Sequence, residues 1–240
     1  MKRKRGSRAP ALLFALLVIA TLAGAAWFLL HRQPHSTPLW PLATATKSAP
    51  TTPVAVAGDH VDPRNEGRSV IVSGVLRVTA PAHDRELGIS ADALALLRQV
   101  EMRQWSEKCT AAACDYALIW SAKPIDWHAF RNRNGHENSM PFPFSSERFL
   151  ATGVRLGAFD VDAALSTAAA EPVTYPVRVS QLPPNLAATF REQDGVLYTA
   201  ASDSHPDVGD LRISFRIVPA GEQRLIGIQR GDRLQAPATP

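Results

Sequence analysis

Residues 100–120 read VEMRQWSEKCTAAACDYALIW. Two aromatic-bearing apolar segments flank a Thr-Ala-Ala-Ala tip, and a cysteine stands on each side of it. The pattern predicts a β-hairpin closed by a Cys109–Cys114 disulfide. Placing the two cysteines opposite each other sets the register by counting outwards. Glu107 then faces Tyr116, Trp105 faces Leu118 and Arg103 faces Trp120. Side chains alternate along a strand, so these pairs share one face. Aromatic–aliphatic and arginine–aromatic cross-strand pairs support a sheet. Opposed residues lie about 4.5–5.5 Å apart at Cα, within reach of a disulfide.

The chain holds two cysteines, which allow one intramolecular pairing. Two rival readings exist, a metal site and a redox motif. A metal site needs further ligands, and none are expected nearby. Redox motifs favour Cys-x-x-Cys, a shorter spacing than this one. In an oxidising compartment such a pair reads as a structural disulfide. The loop it closes is short, so it pins register more than it adds stability.

Beyond the hairpin, Lys123–Pro141 is expected to be a long loop carrying Asn132, Asn134 and Gly135. Phe142–Leu156 holds one short strand at most. Asp160–Ala170 is the best helix, with Asp160 as its cap and alanines filling it. PVTYPVRVS, GVLYTA, LRISFRIV and QRLIGIQR alternate or run β-branched and read as strands. Asp194-Gly195 and Ala220-Gly221 are hairpin-type breaks between them.

On the other side, Arg68–Ala80 is a β-branched strand whose Gly74 predicts a bulge or a close backbone approach. Residues 81–93 form a polar crossing. Leu94–Ser106 is strand, most clearly from Arg98 onward, although ADALALL after Ser90 could also start a helix. Residues 65–236 therefore predict a mainly β fold, an antiparallel sheet or sandwich-like, with one or two short helices on a single core. Residues 237–240 are a tail.

The N-terminal part has a different character. Residues 11–30, ALLFALLVIATLAGAAWFLL, carry neither charge nor proline. Twenty residues make about 30 Å of helix, one bilayer core. Lys2, Arg3, Lys4, Arg5 and Arg8 precede it, so residues 1–10 are a basic cytoplasmic tail and the chain after residue 30 is extracytoplasmic. The small triplet Ala23-Gly24-Ala25 resembles a signal cleavage site, but Trp27–Leu30 extend the apolar run past it. An uncleaved anchor is the expectation. Residues 31–64, rich in Pro, Ala and Thr, read as an extended, unpacked linker. The net charge is +4. The basic tail accounts for it and the remainder is close to neutral, which argues against a nucleic-acid partner.

Six ordered blocks carry a family likeness: NEGRSVIVSGVL, VEMRQW, DYALIW, GHENSMP, PDVGDLRISF and QRGDRL. Together they resemble the transmembrane protein 43 family, also called LUMA, over roughly residues 65–236. The family positions in these blocks include Glu101, Gln104, Trp105, Trp120, Gly135, Gly209, Asp210, Gly231 and Asp232. The resemblance implies a membrane protein whose large soluble region follows the first transmembrane helix and faces the lumen, which corresponds to the periplasm here. It implies membrane organisation or scaffolding, with no established catalytic residues and no cofactor or metal. Family members carry further transmembrane helices after the soluble region. None follows it before Pro240, so roles lodged in those helices are not carried over, and they could reside on another chain.

Three other features bear chemistry. His128, His136 and Glu137, with Asp126, sit on the long loop but match no zinc pattern. Asp203, His205, Asp207 and Asp210 cluster in a segment that could ligate calcium, yet it reads as a turn feeding a strand. Arg230-Gly231-Asp232 is read as a turn. The expected function is a single-pass, inner-membrane protein of a bacterial cell with residues 31–240 in the periplasm. It would be a non-catalytic module for envelope or membrane organisation, in contact with lipid through residues 11–30 and with an envelope or membrane protein. The alternative is an extracytoplasmic hydrolase or metal-dependent enzyme, which requires the His128–Glu137 and Asp203–Asp210 loops to meet in one pocket.

Overall fold

Strand β2 (Ser69–Ala80) is long enough to serve two neighbours on one edge and a third on the other. Its alternation buries Val70, Val72 and Leu76 and leaves Ser73, Val75 and Arg77 outside. The computed structural model describes residues 52–167, 170–199 and 206–237. The expected cytoplasmic tail, transmembrane helix and first part of the linker lie outside these residues. β1 (Val54–Val56) pairs parallel with β2. The end of the expected linker is thus ordered, and the folded region begins near Val54 rather than Asn65. The sequence Val-Ala-Val is a strand in its own right, and the neighbouring prolines obscured it.

β3 (Ala82–Asp84) and β4 (Ile89–Ala91) form a small hairpin inside the expected polar crossing. β5 (Ala95–Cys109) follows at once, so ADALALL starts no helix. Its apolar residues go to two cores, where strand pairing outweighs local helix preference. β6 (Cys114–Ser121) completes the hairpin. Two strands, β7 (Glu147–Leu150) and β8 (Gly153–Leu156), occupy the stretch where one at most was expected. β9 (Phe159–Val161) takes Asp160, and the helix α1 (Ala163–Ser166) is a single turn capped by the Asp162 side chain. The expected helix from Asp160 is corrected accordingly: Phe159 and Val161 are buried as alternate strand residues, which a helix would not achieve.

β10 (Val173–Tyr175), the one-turn α2 (Pro184–Ala187), β11 (Arg191–Gln193), β12 (Val196–Tyr198), β13 (Leu211–Val218), β14 (Glu222–Arg230) and β15 (Arg233–Gln235) complete the order. The β11–β12 turn places Asp194 and Gly195 at φ 52° and 76°. Both signs suit the two-residue hairpin expected there. Ala220-Gly221 is instead a crossing between sheets, because β13 and β14 do not pair. Gly74 is paired regularly with Gln223 and forms no bulge; a Cβ there would lie 3.2 Å from Leu156 Cδ2. The close approach was the correct half of that expectation.

The strands assemble into two bodies of β structure. β2, β14, β15, β9 and β8 pair in sequence, and β8 returns to β2, so these five strands close into a barrel. Its pairings are antiparallel except β15–β9. The other sheet runs β11-β12-β13-β5-β6, with β10 beside β13 and β7 beside β5. The expected single core is two clusters: Val70, Leu156, Phe159 and Leu234 belong to the barrel, and Leu96, Val100, Ile213 and Phe215 to the sheet. Ala95 packs with the barrel core and Leu96 with the sheet core, so β5 is common to both.

Candidate functional site

The hairpin adopts the register counted from its cysteines. Cys109 opposes Cys114, Glu107 opposes Tyr116, Trp105 opposes Leu118 and Arg103 opposes Trp120. Cys109 and Cys114 are joined by a disulfide at the exposed tip. Glu107 and the two sulfurs place their ligand atoms within 4.8 Å of one another. Sulfurs bonded to each other are not thiolates, so this trio is not a metal set in the oxidised chain.

One face of the sheet carries a row of arginines and rings. Arg191, Tyr198, Arg212 and Glu101 occupy successive strands at one level. Arg212 makes two bonds to Glu101, 2.6 and 3.0 Å long, and its guanidinium lies 5.1 Å from the centre of the Trp120 ring. Arg103 lies 5.8 Å from the same ring, and Arg191 lies 4.9 Å from that of Tyr198. Trp120 meets Tyr198 edge-on at 6.2 Å. A cation over an aromatic face gains from the ring's quadrupole, and the planar guanidinium keeps its edges free to bond.

The loop after β6 is fastened to the hairpin by side chains from both partners. Gln104 is fully buried; its amide donates to Lys123 O at 3.1 Å and accepts from Ile125 N at 2.9 Å. Asn138 takes the place of a missing strand on the free edge of β5. It accepts from Trp105 N at 2.6 Å and donates to Trp105 O at 3.0 Å and Ile125 O at 3.3 Å. Glu107 Oε1 accepts from the Tyr116 hydroxyl at 2.5 Å and from Arg131 N at 2.7 Å. Asn132 N donates to the Tyr116 oxygen. The Tyr116 hydroxyl holds the Glu107 carboxyl below its ordinary pKa, and the carboxylate in turn raises Tyr116.

The loop histidines have structural partners. His136 stacks on Tyr116 at 3.9 Å, meets Trp105 edge-on at 4.7 Å and donates from Nδ1 to Asn132 O. Gly135, at φ 80°, makes the turn that presents it, and Glu137 Oε1 accepts from Gly135 N. His128 is exposed, stacked on Trp127 and bonded to Asp126.

The described end of the Asp203–Asp210 loop meets the long loop after β6 at Ser139, beyond the His128–Glu137 stretch. Gly209, at φ 94°, packs so tightly on Ser139 that a Cβ would lie 2.6 Å from Oγ. Gly209 N donates to Arg103 O and Asp210 O accepts from Arg103 N, next to the Asn138–Trp105 clasp. The junction is made of main-chain bonds to β5 and packing on the Ser139 side chain. Asp210 uses one carboxylate oxygen to accept from Thr199 Oγ1 and the other to accept from Asp207 N, which builds the turn into β13. Asp203 and His205 lie outside the described residues. Gly231 and Asp232 form the β14–β15 turn, with Gly231 N donating to Glu66 and Asp160 N donating to Asp232 O.

Two features escaped the reading of the sequence. Arg98 and Asp84 are buried together, with Nη1 to Oδ2 at 2.8 Å, and Arg98 also reaches Glu86 at 2.7 Å and Ser145 O at 2.8 Å. A lone arginine inside the apolar run ALALLRQV was the available signal. Asn138 had none, because its role depends on where a distant loop returns.

The described residues thus define a β module in which a clasped hairpin projects from a sheet whose strand β5 starts against the core of a closed barrel. The family model described as Transmembrane protein 43 matches residues 98–238, and the chain belongs to that family. It is 29% identical to Transmembrane protein 43 of Homo sapiens over 220 residues, covering 80% of this chain and 54% of that protein. The Mus musculus protein is 28% identical with the same coverage. The Drosophila melanogaster homolog is 28% identical over 164 residues, covering 62% of this chain and 43% of that protein. The chain thus spans about half the length of these curated relatives. No solved structure matches it.

Proposed function

We propose that this chain is a membrane-anchored, non-catalytic interaction module of a bacterial inner membrane. Residues 11–30 cross the bilayer, the N-terminus is cytoplasmic, and the β region acts in the periplasm in envelope or membrane organisation. One observation carries the non-catalytic part. Among the described residues, three of the groups a hydrolase would draw on are engaged by the chain itself: His136 by two rings and a carbonyl, Glu137 by Gly135, and Asp210 by Thr199 and Asp207. These bonds give each group a structural role in its own loop. The name its relatives carry, Transmembrane protein 43, supports the membrane part.

The arginine and ring face is the surface through which the module acts. Arginine and aromatic residues are the side chains that anchor interfaces. Cross-linking the full chain in intact cells should recover a reproducible membrane or envelope partner. The variant Trp120→Ala should lose it while remaining folded, with its β-sheet circular dichroism unchanged. A phosphatase reporter fused after Gln235 should be active outside the cytoplasm. Recovery of no partner, or an inactive phosphatase beside a fluorescent cytoplasmic reporter, would overturn the reading.

A further inference from the structure

We infer that β6 is the edge along which two copies of this chain join, antiparallel and two-fold symmetric about Leu118. The hydrogen bonds of β5 fix which way its main chain points. Arg103 N and O bond to Asp210 and Gly209 on one side of β5, and Trp105 N and O bond to Asn138 on the same side. Val100 N and O meet the Ser146 hydroxyl on the other side. The even-numbered residues of β5 therefore face β6, and Thr110 N donating to Ala113 O continues that phase into the tip. In the register Gln104–Ile119 and Ser106–Ala117, the odd-numbered residues of β6 bond back to β5. Tyr116, Leu118 and Trp120 then direct both N–H and C=O outward. Among the described residues no hydrogen bond reaches those outward groups.

Sheet edges are ordinarily blunted by lysine, proline, a bulge or a short length. β6 has none of these. It is eight residues long, CDYALIWS, without proline or lysine, and its pairing with β5 is regular throughout. The disulfide at one end and Gln104's clasp of Lys123 and Ile125 just past the other hold it straight. Ile119 is 39% exposed on one face of this edge.

The occupant follows from self-complementarity. Two copies paired about Leu118 place Tyr116 opposite Trp120 of the second copy, Leu118 opposite itself and Ala117 opposite Ile119. Asp115 falls opposite Ser121, so the strand's one charged side chain meets no like charge across the junction. Aromatic pairs and apolar pairs are the favourable cross-strand combinations, and directly opposed like charges are the unfavourable one. The three outward residues on each copy exchange on the order of six hydrogen bonds. The result is one sheet continuous through both copies.

The test is residue-resolved amide hydrogen exchange on the full chain in detergent micelles, at low and at high protein concentration, beside sedimentation analysis of mass. The amides of Tyr116, Leu118 and Trp120 should slow at least tenfold on concentration as the dimer forms. Those of Ala117 and Ile119 should be slow throughout, because they bond to β5. Ala117→Lys, on an exposed face, should keep the fold and weaken dimerisation at least tenfold. Leu118→Pro removes an outward N–H and should abolish it. A chain that stays monomeric at high concentration overturns the inference. So does a dimer in which the three outward amides stay fast, or one that Ala117→Lys leaves intact. The membrane reading stands or falls separately, on the reporter fusion.

Discussion

The barrel and the hairpin arm solve the same problem in different ways. Each has strands whose main chain must find partners. The barrel finds them by closing on itself, and its interior is almost wholly apolar, from Val70 and Leu156 to Phe159 and Leu234. The arm is an open ribbon beyond Met102, where β13 has ended. It replaces the lost strand with the side chain of Asn138, and it seats its loop on Gln104, Glu107 and Tyr116. Closure needs volume complementarity; an open edge needs specific polar groups at specific heights. The first tolerates many apolar sequences, and the second depends on single residues.

Perturbations should separate the two designs. The largest effect belongs to the buried pair where the small β3–β4 hairpin meets β5. Asp84→Ala leaves the Arg98 guanidinium buried beside only its partly exposed carboxylates, and should cost about 3–5 kcal/mol in urea unfolding. Glu86→Gln, at a half-exposed position of the same cluster, should cost less than about 1 kcal/mol. Next comes the clasp: Asn138→Ala or Gln104→Ala leaves a partly buried main-chain N–H without its partner and should cost about 1 kcal/mol. Exchange of amides in residues 122–139 should rise while barrel amides stay protected. Replacing both cysteines with serine should lower stability by about 2 kcal/mol or less, given the short loop, and the thermal midpoint of the wild type should fall to match under reductant.

The smallest effect is a pH dependence confined to the arm. Glu107 has a depressed pKa in the folded chain. Its stabilising contribution is therefore present above its unfolded value near about 4.3 and fades as pH falls through the lower folded value. Tyr116 is raised, so its contribution holds below about 10 and fades as pH climbs through the higher folded value. Tyr116→Phe should flatten both limbs of a melting-temperature profile measured from pH 3 to 11. An unchanged acid limb in that variant would remove Tyr116 as its cause.

The arm was the more legible of the two regions. Its register follows from two cysteines and simple alternation, because every pair counted from Cys109–Cys114 is local in sequence. The barrel was not legible as a barrel. Its closure depends on β8 returning to β2 and on β15 lying parallel to β9, pairings between distant segments of only three or four residues on one side. Short strands such as Phe159–Val161 carry too few alternations to outweigh a neighbouring alanine run, so that stretch read as helix. Val54–Val56 was lost among prolines for the same reason. The site residues divide in the same way. Trp105 and Trp120 were visible as cross-strand partners, whereas Asn138 gains its role from a contact across 33 positions.

The sharing of β5 has a mechanical consequence. The strand starts among the barrel's core residues and ends at the sulfur bridge of the tip. A pull on that tip along the strand axis loads the eight rungs between β5 and β13 in parallel instead of peeling them one by one. Force delivered to the far end of the arm is thus carried in shear along β5 to the end that packs against the barrel's core.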